Sequence, residues 1–251
     1  MSEPIRDFGF MRRPKWVVGH LIVIVFVTVF VLMGSWQLRR LADRQEFNTL
    51  LVERTSEAVR PLDDVLAEYG PSQDALELRF VVATGRYAAD QEIILLARSY
   101  NGLSGHHVLT PLYLDDGRAV IVDRGWVPID LDQPGLTEFA PPASDAEVYG
   151  VLRKTEVRGM FGPTEPEDGV IAQTARVDLE RIGQQLEADL VPVYIQLQKQ
   201  NPAPKSDLPA LVPLPIPSEG SHRGYAVQWF LFAGVTLIGY PILLWRTAEG
   251  G

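Results

Sequence analysis

Two charge-free apolar runs limit what this chain can fold into. Residues 17–36, VVGHLIVIVFVTVFVLMGSW, hold no Asp, Glu, Lys or Arg, and residues 225–245, YAVQWFLFAGVTLIGYPILLW, hold none either. A helix of about 20 mostly apolar residues crosses the ~30 Å hydrocarbon core of a bilayer, and both runs meet that requirement. Trp16, Trp36, Trp229 and Trp245 stand at or near their ends, where interfacial aromatics settle. A cleaved signal peptide is the competing reading of the first run. Its exit, VLMGSWQL, has no small-x-small cleavage pattern, and basic residues follow at once, so an uncleaved span is expected. The expected organisation is a tail over 1–16, a transmembrane helix over 17–36, a β-rich domain over 37–222, a second transmembrane helix over 223–245 and a tail over 246–251.

Two spans put both termini on one side. Arg6, Arg12, Arg13 and Lys15 favour the cytoplasm for that side, whereas Arg39, Arg40 and Arg44, just past the first run, oppose it. The expectation is cytoplasmic termini and an extracytoplasmic main domain. The chain carries a net charge of −9, and the acid excess falls in the segment between the runs. Nucleic acid demands a basic footprint and is excluded as a partner. A basic protein partner and membrane lipid remain open. There is no cysteine, which removes disulfides, thiolate metal sites and cysteine-based copper transfer. The start, MSEPIRDF, lacks the Arg- and Ser-rich, acid-poor character of a mitochondrial transit peptide. A multi-pass protein of the bacterial plasma membrane is the reading that fits.

After the first run, QLRRLADRQEFNTLLVERTSEAV keeps helical spacing, with Leu38, Leu41, Phe47, Leu50 and Leu51 roughly on one face. RPLDDVLAEYG reads as a short helix. The texture then changes. LELRFVVATGRY, EIILLARSY, HHVLTPLYL, RAVIVDRGWV, AEVYGVLRK and VPVYIQLQ are short runs rich in β-branched and aromatic residues. LDDGRAV places an Asp-Gly turn between two of them, and VDLERIGQQLE reads as a helix capped by Asp178. The predicted fold class is a membrane protein: two transmembrane helices flanking an extracytoplasmic β-rich α+β domain, an antiparallel sheet or partial barrel. Residues 201–217 hold six prolines and form an extended, semi-rigid strap back to the second run.

The candidate ligands are four histidines. His20 lies inside the first run and reads as a packing or interfacial residue. His106 and His107 are adjacent in a strand, point to opposite faces, and make a poor chelating pair. His222 shares a helix face with Tyr225 and Trp229, at i+3 and i+7. That face suits a flat apolar ligand with a metal centre, such as haem, with Arg223, Arg40 or Arg44 pairing with its propionates. The simpler alternative is that His222 and Arg223 anchor the helix in the interface. No Gly-x-Ser-x-Gly, P-loop, dinucleotide fingerprint or zinc motif occurs, and no catalytic residue is expected.

Four stretches, taken in order, resemble the surfeit locus protein 1 family. GSWQLRR resembles its Gly-x-Trp-Gln-x-x-Arg at the end of the first span, through Gly34, Trp36, Gln37 and Arg40. GHHVLTPLYL resembles its Thr-Pro-Leu strand, through Thr110, Pro111 and Leu112. VIVDRGWVP resembles its Val-Asn-Arg-Gly-Trp-Val-Pro, through Arg124, Gly125, Trp126, Val127 and Pro128. SHRGYAVQWF resembles its Asn-x-His-x-x-Tyr-Ala-x-Gln-Trp-Phe, through His222, Tyr225, Ala226, Gln228, Trp229 and Phe230. Asp123 stands where the family has Asn, and Glu219 and Ser221 replace the asparagine before the histidine.

The resemblance implies a membrane-bound assembly factor for haem-copper cytochrome c oxidase, acting on its catalytic subunit, with haem a synthase as a further candidate partner. It implies haem a as the cofactor handled, with His222 as axial ligand, Tyr225 and Trp229 packing the macrocycle, and Arg223 or Arg40 holding propionates. A cofactor-free clamp or accessory subunit of the oxidase or its supercomplex is the alternative. An enzyme and a free-standing solute sensor fit less well, for want of a catalytic constellation and of a signalling domain.

Overall fold

The computed structural model describes residues 8–157, 159 and 169–249. Arg6 of the basic flank and residues 250–251 of the last tail lie outside the described residues. The chain divides into two compact units, one formed by residues 1–50 with 216–251 and the other by residues 51–215.

The first unit is a helix pair. Helix α1 (Pro14–Thr55) contains the first apolar run and continues well beyond it, as the spacing after Trp36 required. The last helix of the chain, α5 (His222–Glu249), contains the second run and extends past residue 245 into the segment expected as a tail. Both are long and apolar enough to cross a membrane, and only 6% of either apolar stretch is buried within the chain. They are therefore not core helices of the β domain. Their contact uses small residues on one stripe. Ala226 and Ala233, seven apart, are buried, and Gly34 is so close to Phe230 that an added Cβ would lie 2.8 Å from its ring. Phe30 meets Trp229 at 5.8 Å and Phe232 at 5.7 Å between ring centroids.

The second unit contains β1 (Arg60–Pro61), α2 (Leu62–Tyr69), α3 (Gln73–Leu76), β2 (Phe80–Tyr87), β3 (Ile93–Tyr100), β4 (Leu103–Leu114), β5 (Ala119–Pro128), β6 (Ala146–Lys154), β7 (Gln173–Thr174), α4 (Leu179–Gly183) and β8 (Leu190–Asn201). The strand order is β1-β2-β6-β8-β5-β4-β3-β7, and β2 also pairs with β4. That extra pairing closes β2-β6-β8-β5-β4 into a five-stranded barrel. It is possible because β4 is long: its first half pairs with β3 and its end, Leu112 to Leu114, pairs with β2. Closure removes the exposed edges that an open sheet would present. The sheet is mixed, since β5 and β8 run parallel. This corrects the antiparallel alternative and favours the barrel one.

Strand β5 is buried along nine of its ten residues, which explains its unbroken apolar texture. Val120 and Val122 enter the barrel core with Val193, Ile195 and Leu197. Ile121 faces the other way and packs with Leu109, Ile182 and Tyr194. The Asp-Gly turn joins β4 to β5 as expected, with Gly117 at φ +87°. Asp178 does cap α4, its side chain accepting from the Arg181 N–H, but the helix is a single turn rather than the eleven-residue segment expected. A run that short lacks propagation to offset its nucleation cost and survives by packing Leu179 and Ile182.

The strap is extended, yet it is not a free connector. Ala210 and Trp126 exchange two backbone hydrogen bonds of 2.8 Å each. Gly125 (φ +126°) makes this approach possible, because a Cβ there would lie 2.3 Å from the Ala210 carbonyl oxygen. Gln196 and Gln198 both donate from Nε2 to the Val212 carbonyl, at 3.0 and 3.1 Å.

Candidate functional site

The four histidines have four different environments. His20 is consumed: Tyr240 Oη lies 2.7 Å from its Nδ1 and the Met11 carbonyl 3.3 Å from its Nε2. It is a knot between α1 and α5, in keeping with its reading as a packing residue. His106 is buried, with Nδ1 lacking a partner. His107 is buried and its Nδ1 is 2.8 Å from Asp123 Oδ2. A register shift in the β4–β5 ladder between His107 and Leu109 sets this diagonal pairing. Asp123 Oδ1 accepts the Gly125 N–H at 3.1 Å. Both carboxylate oxygens are acceptors, so Nδ1 of His107 is the donor.

His222 differs. It opens α5 and is half-buried, and its Nδ1 lies 2.9 Å from Gln37 Oε1 on α1. A groove of about 340 Å³ runs beside it, lined by Arg40, Asp43, Arg44, Phe47, Gly220 and His222. The backbone that delivers His222 is tied to α1 twice. Arg44 Nε donates to the Ser218 carbonyl at 3.0 Å, and Gln45 Nε2 donates to Glu219 Oε1 at 2.7 Å. Arg40 is held only loosely by Asp43, at 3.8 Å with both side chains exposed. Its guanidinium is available to an anion.

The fold thus brings Gln37, Arg40, Arg44 and His222 together from two motifs at opposite ends of the sequence. Arg223 and Tyr225 are exposed and do not line the groove. Trp229 is occupied with Phe30 and Phe232, and Gln228 is exposed. Gly34 serves the close approach of the two helices, and Trp36 is exposed at the end of the apolar run. The donor set of the groove fits a haem: one imidazole, two guanidinium groups and an aromatic ring, at the boundary of two apolar helices. Among the described residues no group of three or more His, Cys, Asp or Glu is placed to hold a bare metal ion.

The remaining motif residues meet on a residue the sequence reading missed. Glu92 is buried; its Oε1 accepts from Arg124 Nη1 at 2.7 Å and from Thr110 Oγ1 at 3.0 Å, and its Oε2 accepts from the Gly135 N–H at 2.9 Å. Arg124 Nη2 donates to the Phe139 carbonyl at 2.6 Å. Burial pushes the Glu92 carboxyl up from its ordinary value, against the opposing pull of Arg124, and burial likewise pushes the Arg124 guanidinium down. The Thr-Pro and Arg-Gly-Trp motifs are therefore architectural. Thr110 and Arg124 clamp the loop after β5, Pro111 and Pro128 lie in the β4–β5 ladder, and Gly125 and Trp126 seat the strap. The signal was available: Arg124, beside Asp123, interrupts the apolar run of β5, and Glu92 immediately precedes the buried start of β3.

The class defined by this architecture is a closed barrel domain that lies, in sequence, between two membrane-length helices, with an imidazole-bearing groove in the helix pair. A family model described as the SURF1 family matches residues 24–234. An uncharacterized SURF1-like protein of Mycobacterium bovis is 26% identical over 236 residues, covering 92% of this chain and 84% of that one. A SURF1-like protein of Rickettsia felis is 27% identical, covering 89% and 95%. Surfeit locus protein 1 of Takifugu rubripes is 26% identical, covering 88% and 93%. The chain belongs to the SURF1 family, known generally as oxidase assembly factors.

Proposed function

We propose that this chain is a membrane-anchored assembly factor for haem-copper cytochrome c oxidase that binds haem a and aids its delivery to the catalytic subunit. The observation that carries the reading is His222. It lines an open groove with Arg40 and Arg44 and stands where an apolar helix begins; His107 also lines a groove, with Arg98 and Arg153, but there it is paired with the Asp123 carboxylate. Both termini lie in the cytoplasm of a bacterial cell and the barrel lies outside the plasma membrane. The charge-free runs, the terminal tryptophans and Arg12, Arg13 and Lys15 support that topology.

Bound in the groove, haem a supplies an iron that accepts one imidazole nitrogen and propionates that pair with guanidinium groups. His222 would hold the iron. Arg40 would take a propionate, because its present partner is distant and solvated, whereas Arg44 is already committed to the Ser218 carbonyl. Phe47, which Arg44 overlies at 5.6 Å, offers the ligand an apolar edge. Tyr225 lies three residues beyond His222 and extends the apolar surface toward the bilayer. No bond is made or broken in the ligand, so this is binding and transfer rather than turnover. The test is complementation of a strain lacking the chain. Wild type restores haem a in the oxidase catalytic subunit and His222→Ala does not, at equal membrane abundance. Full restoration by His222→Ala makes the cofactor-free clamp the better account.

A further inference from the structure

We propose that Gln37 is a positioning residue that sets the tautomer of His222, placing the ring proton on Nδ1 and leaving the Nε2 lone pair to the groove. The purpose assigned to this device rests on the haem reading above; the device itself does not. A neutral imidazole carries one N–H and one lone pair, and the partner of one nitrogen decides the chemistry of the other. The Gln37 amide oxygen carries no proton. At 2.9 Å from Nδ1 it can only accept, so Nδ1 donates and Nε2 becomes the acceptor. Among the described residues Nε2 has no hydrogen-bond partner. It lies beside Gly220 (φ +64°), where an added Cβ would stand 3.9 Å from it.

The elements around this contact are built for it. Gln37 lies three residues beyond Gly34, on the same face of α1. Gly34 lets α5 approach closely through Phe230, and that spacing lets a side chain on α1 reach the first residue of α5. The Ser218 and Glu219 contacts fix the backbone before His222, while Gln37 fixes the ring. The choice of an amide has a consequence. A carboxylate in its place would favour the imidazolium, whose Nε2 is protonated and cannot ligate. A neutral amide selects the tautomer without stabilising that second proton, which suits a site that must take up a ligand and give it back. Histidines that ligate metals characteristically donate their other N–H to such a partner, and loss of the partner typically costs 10–100-fold in affinity.

The experiment is long-range ¹H–¹⁵N correlation of the histidine rings in the full chain in lipid nanodiscs, at a pH where imidazole is neutral, with His222→Ala assigning the signals. Wild type shows His222 protonated at Nδ1. Gln37→Leu, and Gln37→Asn whose shorter amide falls short of the ring, shift the proton to Nε2; Gln37→Glu keeps it on Nδ1. Titration with ferric protoporphyrin IX, read at the Soret band, shows Gln37→Leu and Gln37→Asn about 10–100-fold weaker than wild type. A wild-type ring protonated at Nε2, or a tautomer unmoved in both Gln37→Leu and Gln37→Asn, overturns the proposal. Should Gln37→Leu disturb the helix pair by circular dichroism, the wild-type tautomer and Gln37→Asn decide it. Equal porphyrin binding by wild type and His222→Ala overturns the haem reading alone and leaves the tautomer assignment standing.

Discussion

Replacing Glu92 by alanine tests whether the Thr-Pro and Arg-Gly-Trp motifs are architectural. The side chains of Arg124 and Glu92 are 2% and 0% exposed, so their pairing is not screened by water. Truncation strips an acceptor from Arg124 Nη1, Thr110 Oγ1 and the Gly135 N–H at once. A neutral buried donor left unmade costs about 1–3 kcal/mol, and a broken buried ion pair about 3–5 kcal/mol. These terms are not additive. Arg124 Nη2 keeps the Phe139 carbonyl, and a void of about 30 Å³ beside Arg124, also lined by Leu197, Gln200 and Pro209, has room for one water. The expected loss is therefore about 3–5 kcal/mol, a large fraction of the ~5–15 kcal/mol that holds a domain together. The assay is urea unfolding of the full chain in detergent, followed by near-ultraviolet circular dichroism of the barrel. The paired replacement Arg124→Met with Glu92→Met removes both charges and is expected to recover the part of the loss that comes from the unpaired guanidinium, while Thr110 Oγ1 and the Gly135 N–H stay without their acceptor. A Glu92→Ala loss below about 1 kcal/mol would refute the reasoning, since it would mean the guanidinium finds water without cost.

Two further outcomes follow from the same unit. Gly125→Ala forces a Cβ to within 2.3 Å of the Ala210 carbonyl oxygen at a positive φ, so the strap is expected to lift from β5; amide exchange at Ala210 and Trp126 should rise together, and unchanged protection would contradict the clasp. Glu92 has a folded pKa raised by burial. Its contribution to stability is thus complete below the unfolded value of about 4.3 and is lost as pH rises through the folded value. Glu92→Gln cannot titrate, so its unfolding free energy should fall less than that of wild type as pH rises above the unfolded carboxyl value of about 4.3, and parallel profiles would contradict the assignment.

The two long helices and the long strands of this fold were legible in the sequence; the short elements β1, α3 and β7 and the closure of the barrel were not. The apolar runs, the alternating strands, the Asp-Gly turn and the Asp178 cap are local signals, each written within a few residues. The barrel depends on β2 meeting the far end of β4 and on β8 lying parallel to β5, pairings that no local periodicity encodes. The site shows the same division. His222 and Arg40 stood out by residue type and position. Gln37 was read as a motif residue, yet its contact with His222 spans 185 positions and needs the helix spacing set by Gly34 and Phe230. Tyr225 and Trp229 share a face with His222 by helical arithmetic, but α1 claims Trp229 through Phe30, a competition that a single helix viewed alone does not reveal.

The central claim, that His222 is the point at which this protein holds a haem iron, is tested most directly by the absorption spectrum of the purified full chain co-expressed with haem a synthesis, as wild type and as His222→Ala. The account predicts a Soret band in wild type that is lost in the variant, with both proteins showing the same barrel circular dichroism. A Soret band of equal strength in both, or none in a well-folded wild type, would contradict it.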